Sequence, residues 1–392
     1  MTTTHLPLEQ LQPTLTAKRR VTIGLPSATA AGDSRFPITP EAAALIIGQG
    51  FDIKMEAGAA EPIHYGDVAY ARAGVAITSR AEAFKCDIVV YLPAISVEDA
   101  LLLNTGAMLL SLLDIKGRTT QSVEVLLKKH IIAIALDLVA DASGHRPFAD
   151  ILAEIDGRAA IAVASSLLAD ATHGKGILLG GIAGIVPCEV TIIGSSIAAR
   201  AAAASAIGMG AMVRIFDNDI YRLREALTTI GPAAVGSAMY PKVLMAALRS
   251  ADIVIVTDTE RDYILSNDII SEMKRGVVVF DLTAGDCHTF SGMRRVDLGA
   301  ATPGDDDPVE PTRTCYVNAG SAVPRTTAMA ISNTIAAMLS DIAACDGMPG
   351  AVKFNAGIAR AAYTFLGKPV NGDVARIAGL RCIDINLLLQ LS

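Results

Sequence analysis

The chain has 392 residues, 52% of them apolar, only 4% aromatic, with no Trp and a formal net charge of −7. That length suits two α/β units, each able to bury its own core, and the Ala, Ile, Val, Leu and Gly that dominate suit close-packed helices on buried parallel sheets. The acidic balance excludes nucleic acid and anionic membrane as main partners. No apolar run reaches the ~20 residues of a bilayer-spanning helix. Residues 97–113 are interrupted by Glu98, Asp99 and Asn104, and 131–136 are flanked by Lys128, Lys129 and Asp137.

In chain order, MTTTHLPLEQLQPTLTAKRR lacks the apolar core of a secretory signal and reads as a polar arm. Residues 20–26 form a strand, and Thr39-Pro40-Glu41 opens a helix with Thr as cap and Pro at its first position. Strands follow at 51–56, 86–92, 107–113 and 131–138, with a helix over 119–129 whose Ser122, Val123, Leu126 and Leu127 fall at helical spacing. A long apolar helix spans about 149–170, and the glycine-rich connector HGKGILLGGIAGIVP leads into a second alternating block. That block has strands at 212–216, 252–257, 277–282 and 314–317, with helices at 221–229, 242–250 and 267–275. The segment 284–311, with Asp305, Asp306 and Asp307, reads as a mobile loop. A long helix over 325–344 and a tail that is helical in pieces complete the chain. The fold class is therefore α/β, with two Rossmann-like doubly wound parallel sheets joined by long helices around a central cleft. Residues 1–150 with 325–392 form a composite domain, and 151–324 a nucleotide domain.

Residues 190–219, VTIIGSSIAARAAAASAIGMGAMVRIFDND, have the layout of a dinucleotide site. Gly194 supplies the first fingerprint glycine, which permits the tight turn, and Ala199 replaces the third, an accepted variant. Ser196 stands at the second, where bare backbone normally lets the pyrophosphate approach; its side chain crowds a phosphate oxygen, though its hydroxyl can also donate to one. The helix N-terminus still offers free N–H groups and a positive dipole end. Asp217 closes the second strand at about the ~20-residue spacing of a carboxylate that accepts from ribose hydroxyls and favours NAD over NADP. An ordinary βαβ unit with a solvated Asp is the alternative from pattern alone. Six scattered cysteines without a CxxC pair, and six histidines without ligand spacing, point to reduced thiols in a cytoplasm and to no bound metal.

The whole chain resembles the alanine dehydrogenase and transhydrogenase α-subunit family. The resemblance rests on TIGLP, RFPITPE, EAGAAEP, GKGILLGGIAGIVPCEVTIIG, VRIFDNDIYRL, PKVLMAALRSADIVI and NAGSAVPRTTAMAISN, in that order. It implies two Rossmann-like domains around a cleft, NAD as cofactor, a small amino-acid or keto-acid substrate, and a homo-oligomer, dimer or hexamer. The part that crosses the membrane in transhydrogenases is not matched, so alanine dehydrogenase is the nearer type. The family's carboxylate-binding arginine is Arg35. Its lysine falls on Tyr91, its histidine on Asp114, and its aspartate on Gly285 with Asp286 adjacent. A Lys-Glu pair after the first strand is replaced by Ser27-Ala28, and a cofactor-contacting serine by Ala153 beside Glu154. Asn318 matches a cofactor contact, and Val323 and Arg325 fit the pattern; both Asn318 and Arg325 can equally cap the long helix that follows.

Each carried-over residue also has a structural reading: Arg35 as an ion-pair partner, Tyr91 as packed aromatic, Asp114 as a carboxylate facing a substrate carboxylate. Two such charges ~4 Å apart repel by about 1 kcal/mol in water and about 4 kcal/mol at an effective dielectric of 20. Three functions therefore compete. They are an NAD(H)-dependent dehydrogenase of L-alanine or a related amino acid, a catalytically lapsed binding or partner subunit, and hydride transfer between nucleotides.

Overall fold

The computed structural model describes residues 20–28, 33–257, 265–283, 288–290, 292–299, 314–345 and 347–391. Asp286, Gly285, the Asp305–Asp307 run and the N-terminal arm lie outside them.

The first six strands are β1 (Thr22–Leu25), β2 (Asp52–Glu56), β3 (Ala76–Thr78), β4 (Ile88–Val90), β5 (Met108–Ser111) and β6 (Ile132–Ala135). They pair in parallel in the order β3-β2-β1-β4-β5-β6. Seven more strands form a second sheet: β7 (Glu189–Ile193), β8 (Met212–Phe216), β9 (Ala234–Ser237), β10 (Ile253–Val256), β11 (Val278–Asp281), β12 (Arg294–Asp297) and β13 (Thr314–Val317). Their order is β9-β8-β7-β10-β11-β13-β12, again all parallel. Both sheets are doubly wound, and the winding reverses between β1 and β4 in one and between β7 and β10 in the other. Ligands of such sheets bind outside the carboxyl ends of the strands at these reversals.

The chain then returns to the first sheet with β14 (Ala362–Phe365), antiparallel to β6, and β15 (Lys368–Pro369). The tail expected to be helical in pieces thus has helices on both sides of this hairpin. Arg294–Asp297, inside the expected loop 284–311, is the edge strand β12.

Strand residues alternate between two cores, as a sheet covered on both faces requires. Ile88 and Val90 join a core with Ala328, Ile331, Ile335 and Leu339 of the helix Pro324–Ala344. Val89 and Tyr91 face the opposite core, with Leu109 and Ala133. The helix Pro40–Gly48 starts as its sequence predicts: the Thr39 hydroxyl accepts from the Ala42 N–H and Pro40 is its first residue. The Thr39 N–H donates to Ser332 Oγ (3.0 Å), tying that cap to the helix Pro324–Ala344.

The connector between the sheets is the helix Pro147–Ala169, 23 residues long. Its Gly157 lies against the helix Ile197–Gly208, so closely that a Cβ there would sit 2.1 Å from the Ala198 carbonyl oxygen. Alanine at 157 would gain about 1 kcal/mol of helix propensity, but a backbone collision of this size costs more. Gly157→Ala is therefore expected to lower unfolding stability by about 1–3 kcal/mol in urea titration, the range for overpacking.

Candidate active site

The dinucleotide turn begins at Gly194, whose φ is +97° and whose missing Cβ would fall 1.9 Å from the Thr257 carbonyl oxygen. The chain leaving β7 touches the chain leaving β10, and only glycine fits both the left-handed backbone and the contact. Ser196 follows in ordinary extended backbone as the N-cap of the helix Ile197–Gly208, its hydroxyl accepting from the Ala199 N–H at 3.4 Å. Ser195 is buried, and its hydroxyl donates to Asp217 Oδ2 at 2.5 Å. Asp217 Oδ1 accepts from the Asp219 N–H at 2.8 Å, so each carboxylate oxygen already has a donor. Ala199, fully buried, occupies the third fingerprint position. The glycine that permits close packing there belongs to the facing helix, at Gly157.

These residues fit a dinucleotide. A bare Gly194 at the reversal point, a helix N-terminus behind it and a carboxylate at the end of β8 supply turn, phosphate cradle and ribose acceptor. Asn318, at the end of β13, has φ +56° and donates its amide to Asp297 Oδ1 at 2.7 Å. Burial opposes ionisation of Asp297, but that amide, the Gly299 N–H and Arg295 outweigh it and hold the carboxyl below its usual range. Asn318 does not cap the long helix; Arg325 does not either, its guanidinium lying 4.5 Å over the Tyr65 ring.

Arg35 is gripped by Asp33. Nε and Nη2 donate to the two carboxylate oxygens at 2.8 and 2.7 Å, and the Arg35 N–H adds a third bond at 2.9 Å. The Arg35 side chain is 23% exposed and the Asp33 side chain 8%. Burial works against the guanidinium's charge, but Asp33, Asp156 and Asp114 together overcome it, and the group is held more firmly protonated than usual. The fork also leaves the Nη1 side of the guanidinium clear of Asp33.

Asp156 is the residue that the sequence reading missed. It sits on the connecting helix one position before Gly157, within electrostatic reach of Arg35, and its Oδ1 accepts from the Gly320 N–H at 2.7 Å. Burial pushes its carboxyl up from the ordinary aspartate value, against the pull of the Gly320 N–H and Arg35. An acidic residue next to a glycine, on the inward face of an apolar helix, was the available signal. Asp33 was equally visible, two residues before Arg35 in the same loop.

Asp114 has φ +30° and is exposed, its Oδ1 accepting from the Gly117 N–H at 3.2 Å. Tyr91 follows β4 at the reversal point of the first sheet. It is buried, edge-on to Phe84 at 5.6 Å between centroids, with Arg80 6.0 Å from its ring centre. Burial pushes the phenol up, so it is a neutral donor at ordinary pH. Arg80 is itself held by Asp99 (2.8 Å) and Glu56 (3.0 Å) and donates to the Ser27 carbonyl oxygen (2.9 Å). The aspartate position at 285–286 lies outside the described residues. Just before it, Asp281 ends β11; its Oδ1 accepts from the Thr283 N–H and hydroxyl at 3.0 and 2.6 Å.

The structure thus brings Arg35, Asp33, Asp114 and Asp156 into one electrostatic group. The path Arg35, Asp156, Gly157, Ala198 then links that group to the nucleotide turn. Two doubly wound sheets, one carrying a dinucleotide turn and the other a half-buried arginine at its reversal, define a two-domain protein of the nucleotide-linked oxidoreductase architecture. The chain belongs to the alanine dehydrogenase/PNT family. The family's N-terminal domain model matches residues 24–155 and its C-terminal domain model residues 160–372. The chain is 27% identical over 365 residues to an alanine dehydrogenase of Mycobacterium tuberculosis, covering 91% of this chain and 97% of that protein. An alanine dehydrogenase of Staphylococcus saprophyticus is 26% identical over 378 residues, covering 94% of this chain and 100% of the other. Among solved structures, an L-alanine dehydrogenase superposes with a TM-score of 0.79 at 22% identity, over 91% of this chain and 98% of that one. A transhydrogenase from Sinorhizobium meliloti superposes at 0.71 and 18%, over 90% and 99%. These two likenesses establish the fold. Among the described residues, no helix is long and apolar enough to cross a membrane.

The folded state keeps a proton on Asp156 that the unfolded chain loses as pH rises above ~3.9, the ordinary aspartate value. The group's destabilising contribution is therefore absent at acid pH and grows until the folded carboxyl itself ionises. Asp156→Asn is expected to raise the thermal midpoint relative to wild type increasingly as the pH is raised from about 4, followed by circular dichroism at about 0.5-unit pH steps. A constant difference over those steps would contradict the shift.

Proposed function

We propose that the chain is an NAD(H)-dependent oxidoreductase of alanine dehydrogenase type, acting on L-alanine or a related small amino acid. The domain made of 1–150 and 325–392 binds the substrate, and 151–324 bind NAD(H). When bound, the nicotinamide supplies the hydride acceptor for amino-acid oxidation and the donor for the reverse reaction. Gly194, the helix N-terminus at Ser196 and Asp217 hold the dinucleotide, with Asn318 near its far end.

The carrying observation is the position of Asp156. One residue away its helix touches the nucleotide turn, while its carboxyl acts electrostatically on Arg35. A substrate held by Arg35 therefore lies beside the turn that holds the cofactor. The clear side of the guanidinium accepts a substrate carboxylate while Asp33 fixes the opposite edge, so Arg35 is oriented before the substrate arrives. Asp156, whose carboxyl is pushed up from the ordinary aspartate value by burial, is the group that gives and retakes a proton as the amine and imine change charge. Asp114 and Tyr91 serve as polar contacts, and Asp286 as the carboxylate beside the nicotinamide.

The lapsed-subunit reading draws on one observation of its own: Tyr91, where the family has its lysine, is a neutral, packed phenol engaged with Arg80. Assembly as a homo-oligomer and residence in the cytoplasm complete the proposal. The exposed apolar side chains Leu178, Ile182, Ile185 and Val186 on the connector suit an interface between copies.

NADH titration by fluorescence, followed by an absorbance assay with NAD and L-alanine, tests the reading. Binding with turnover is the expected result. Binding without turnover selects the lapsed subunit, and no binding at millimolar NADH overturns the nucleotide assignment. In the active enzyme, Arg35→Ala is expected to raise KM for the amino acid on the order of 100-fold while leaving NADH affinity unchanged, the loss of a charge-assisted carboxylate contact.

A further inference from the structure

The nucleotide turn contains two polar groups that a bound dinucleotide would satisfy, and in this chain both are satisfied from within. The Asp217 carboxylate faces the place of the ribose, and Ser195 Oγ donates to its Oδ2 at 2.5 Å. The Ala199 N–H belongs to the helix N-terminus that would face the pyrophosphate, and Ser196 Oγ accepts from it at 3.4 Å. The two serines are consecutive, and the fingerprint requires a hydroxyl at neither position.

We infer that Ser195 and Ser196 are affinity determinants that stand in for the nucleotide: Ser195 takes the role of a ribose hydroxyl, and Ser196 that of a phosphate oxygen. This rests on the reading of the turn as an NAD(H) site. A ribose hydroxyl must share or displace the Ser195 bond, which is short and charge-assisted and so the stronger of the two. A phosphate oxygen must displace the Ser196 cap, which is long and weak, and must also pass its Cβ. The larger share of the effect therefore falls on Ser195. With both groups satisfied, the cofactor-free turn carries no buried orphan at Asp217, and the protein is stable while its nucleotide exchanges.

The serines differ in what their removal does to the free protein, and this separates an affinity role from a purely structural one. Glycine is nearly as good an N-cap as serine, so Ser196→Gly retains the helix start. Ser195→Ala leaves Asp217 Oδ2 without its donor and lowers the thermal midpoint of the free protein. Saturating NADH restores that partner and recovers the loss, so the variant's nucleotide-induced rise in midpoint exceeds that of wild type.

The experiment is NADH binding to the full chain by fluorescence and by thermal shift, for wild type, Ser195→Ala, Ser196→Gly and the double variant. Ser195→Ala is expected to tighten NADH binding about tenfold, Ser196→Gly about threefold, and the double variant more than either. Wild type that binds NADH, with variants that bind no more tightly, overturns the role given to the serines and leaves the NAD(H) site standing. Failure of the double variant to bind at millimolar NADH overturns both. Ser196→Gly leaves the Asp217 contact intact, so its result stands even if Ser195→Ala does not fold.

Discussion

The contact between Gly157 and the Ala198 carbonyl is the constraint on which the site depends. It presses the connecting helix onto the first turn of the nucleotide helix, at a distance that excludes any side chain at 157. Everything on neighbouring positions of that helix is fixed in consequence. Asp156 is carried to the Gly320 N–H and into the field of Arg35. The helix that joins the two sheets in sequence is thus the same element that joins the two halves of the site in space. A small residue gives closeness, and the neighbouring carboxyl sits where desolvation raises its proton affinity.

The charges on the first sheet's side have been redistributed rather than removed. By resemblance, lysines belong at 27 and 91, where this chain has Ser27 and Tyr91. Arg80 comes in from the neighbouring helix, donates to the Ser27 carbonyl oxygen and lies against the Tyr91 ring. Glu56 and Asp99 neutralise it, so it is a framework cation and not one free for a ligand. Arg35 then remains the cation of the site, and Asp33 clamps it from one side only. The chemistry left to the site is carboxylate binding beside Asp156, whose carboxyl holds its proton more firmly than an ordinary aspartate.

The repeating elements were legible because burial on both faces of a parallel sheet leaves long apolar runs, such as VTII, DIVIV and VVVF. Gly194 and Asp217 were legible because a turn and a strand tip have local sequence requirements. The short edge strands β3, β9 and β12 were not: they have at most four residues each and half-exposed patterns, too little for a period to emerge. The antiparallel strand β14 was lost in a helical context, since a four-residue run, Ala362–Phe365, follows directly on the helix Ala356–Ala361. Among site residues, Arg35 was found by its motif. Asp156 was not, because what matters about it is a partner 164 positions away, whereas Asp33 stood in view two residues before Arg35. Ser195 escaped for a similar reason: its meaning lies in Asp217, 22 positions away.

The return of β14 and β15 to the first sheet also orders the folding of the chain. β6 pairs with a strand that begins at residue 362, and the core on that sheet includes Ala328, Ile331, Ile335 and Leu339 of the helix before it. The second sheet, by contrast, draws every strand from residues 189–317. During synthesis, at about 5–20 residues per second, the nucleotide half has all its strands before the first-made half has either its last strand or its covering helix. The N-terminal half is thus translated first and completed last, and for that interval its β6 edge and apolar face have no native cover. The protein's exposure to misassembly lies in its oldest residues, not its newest.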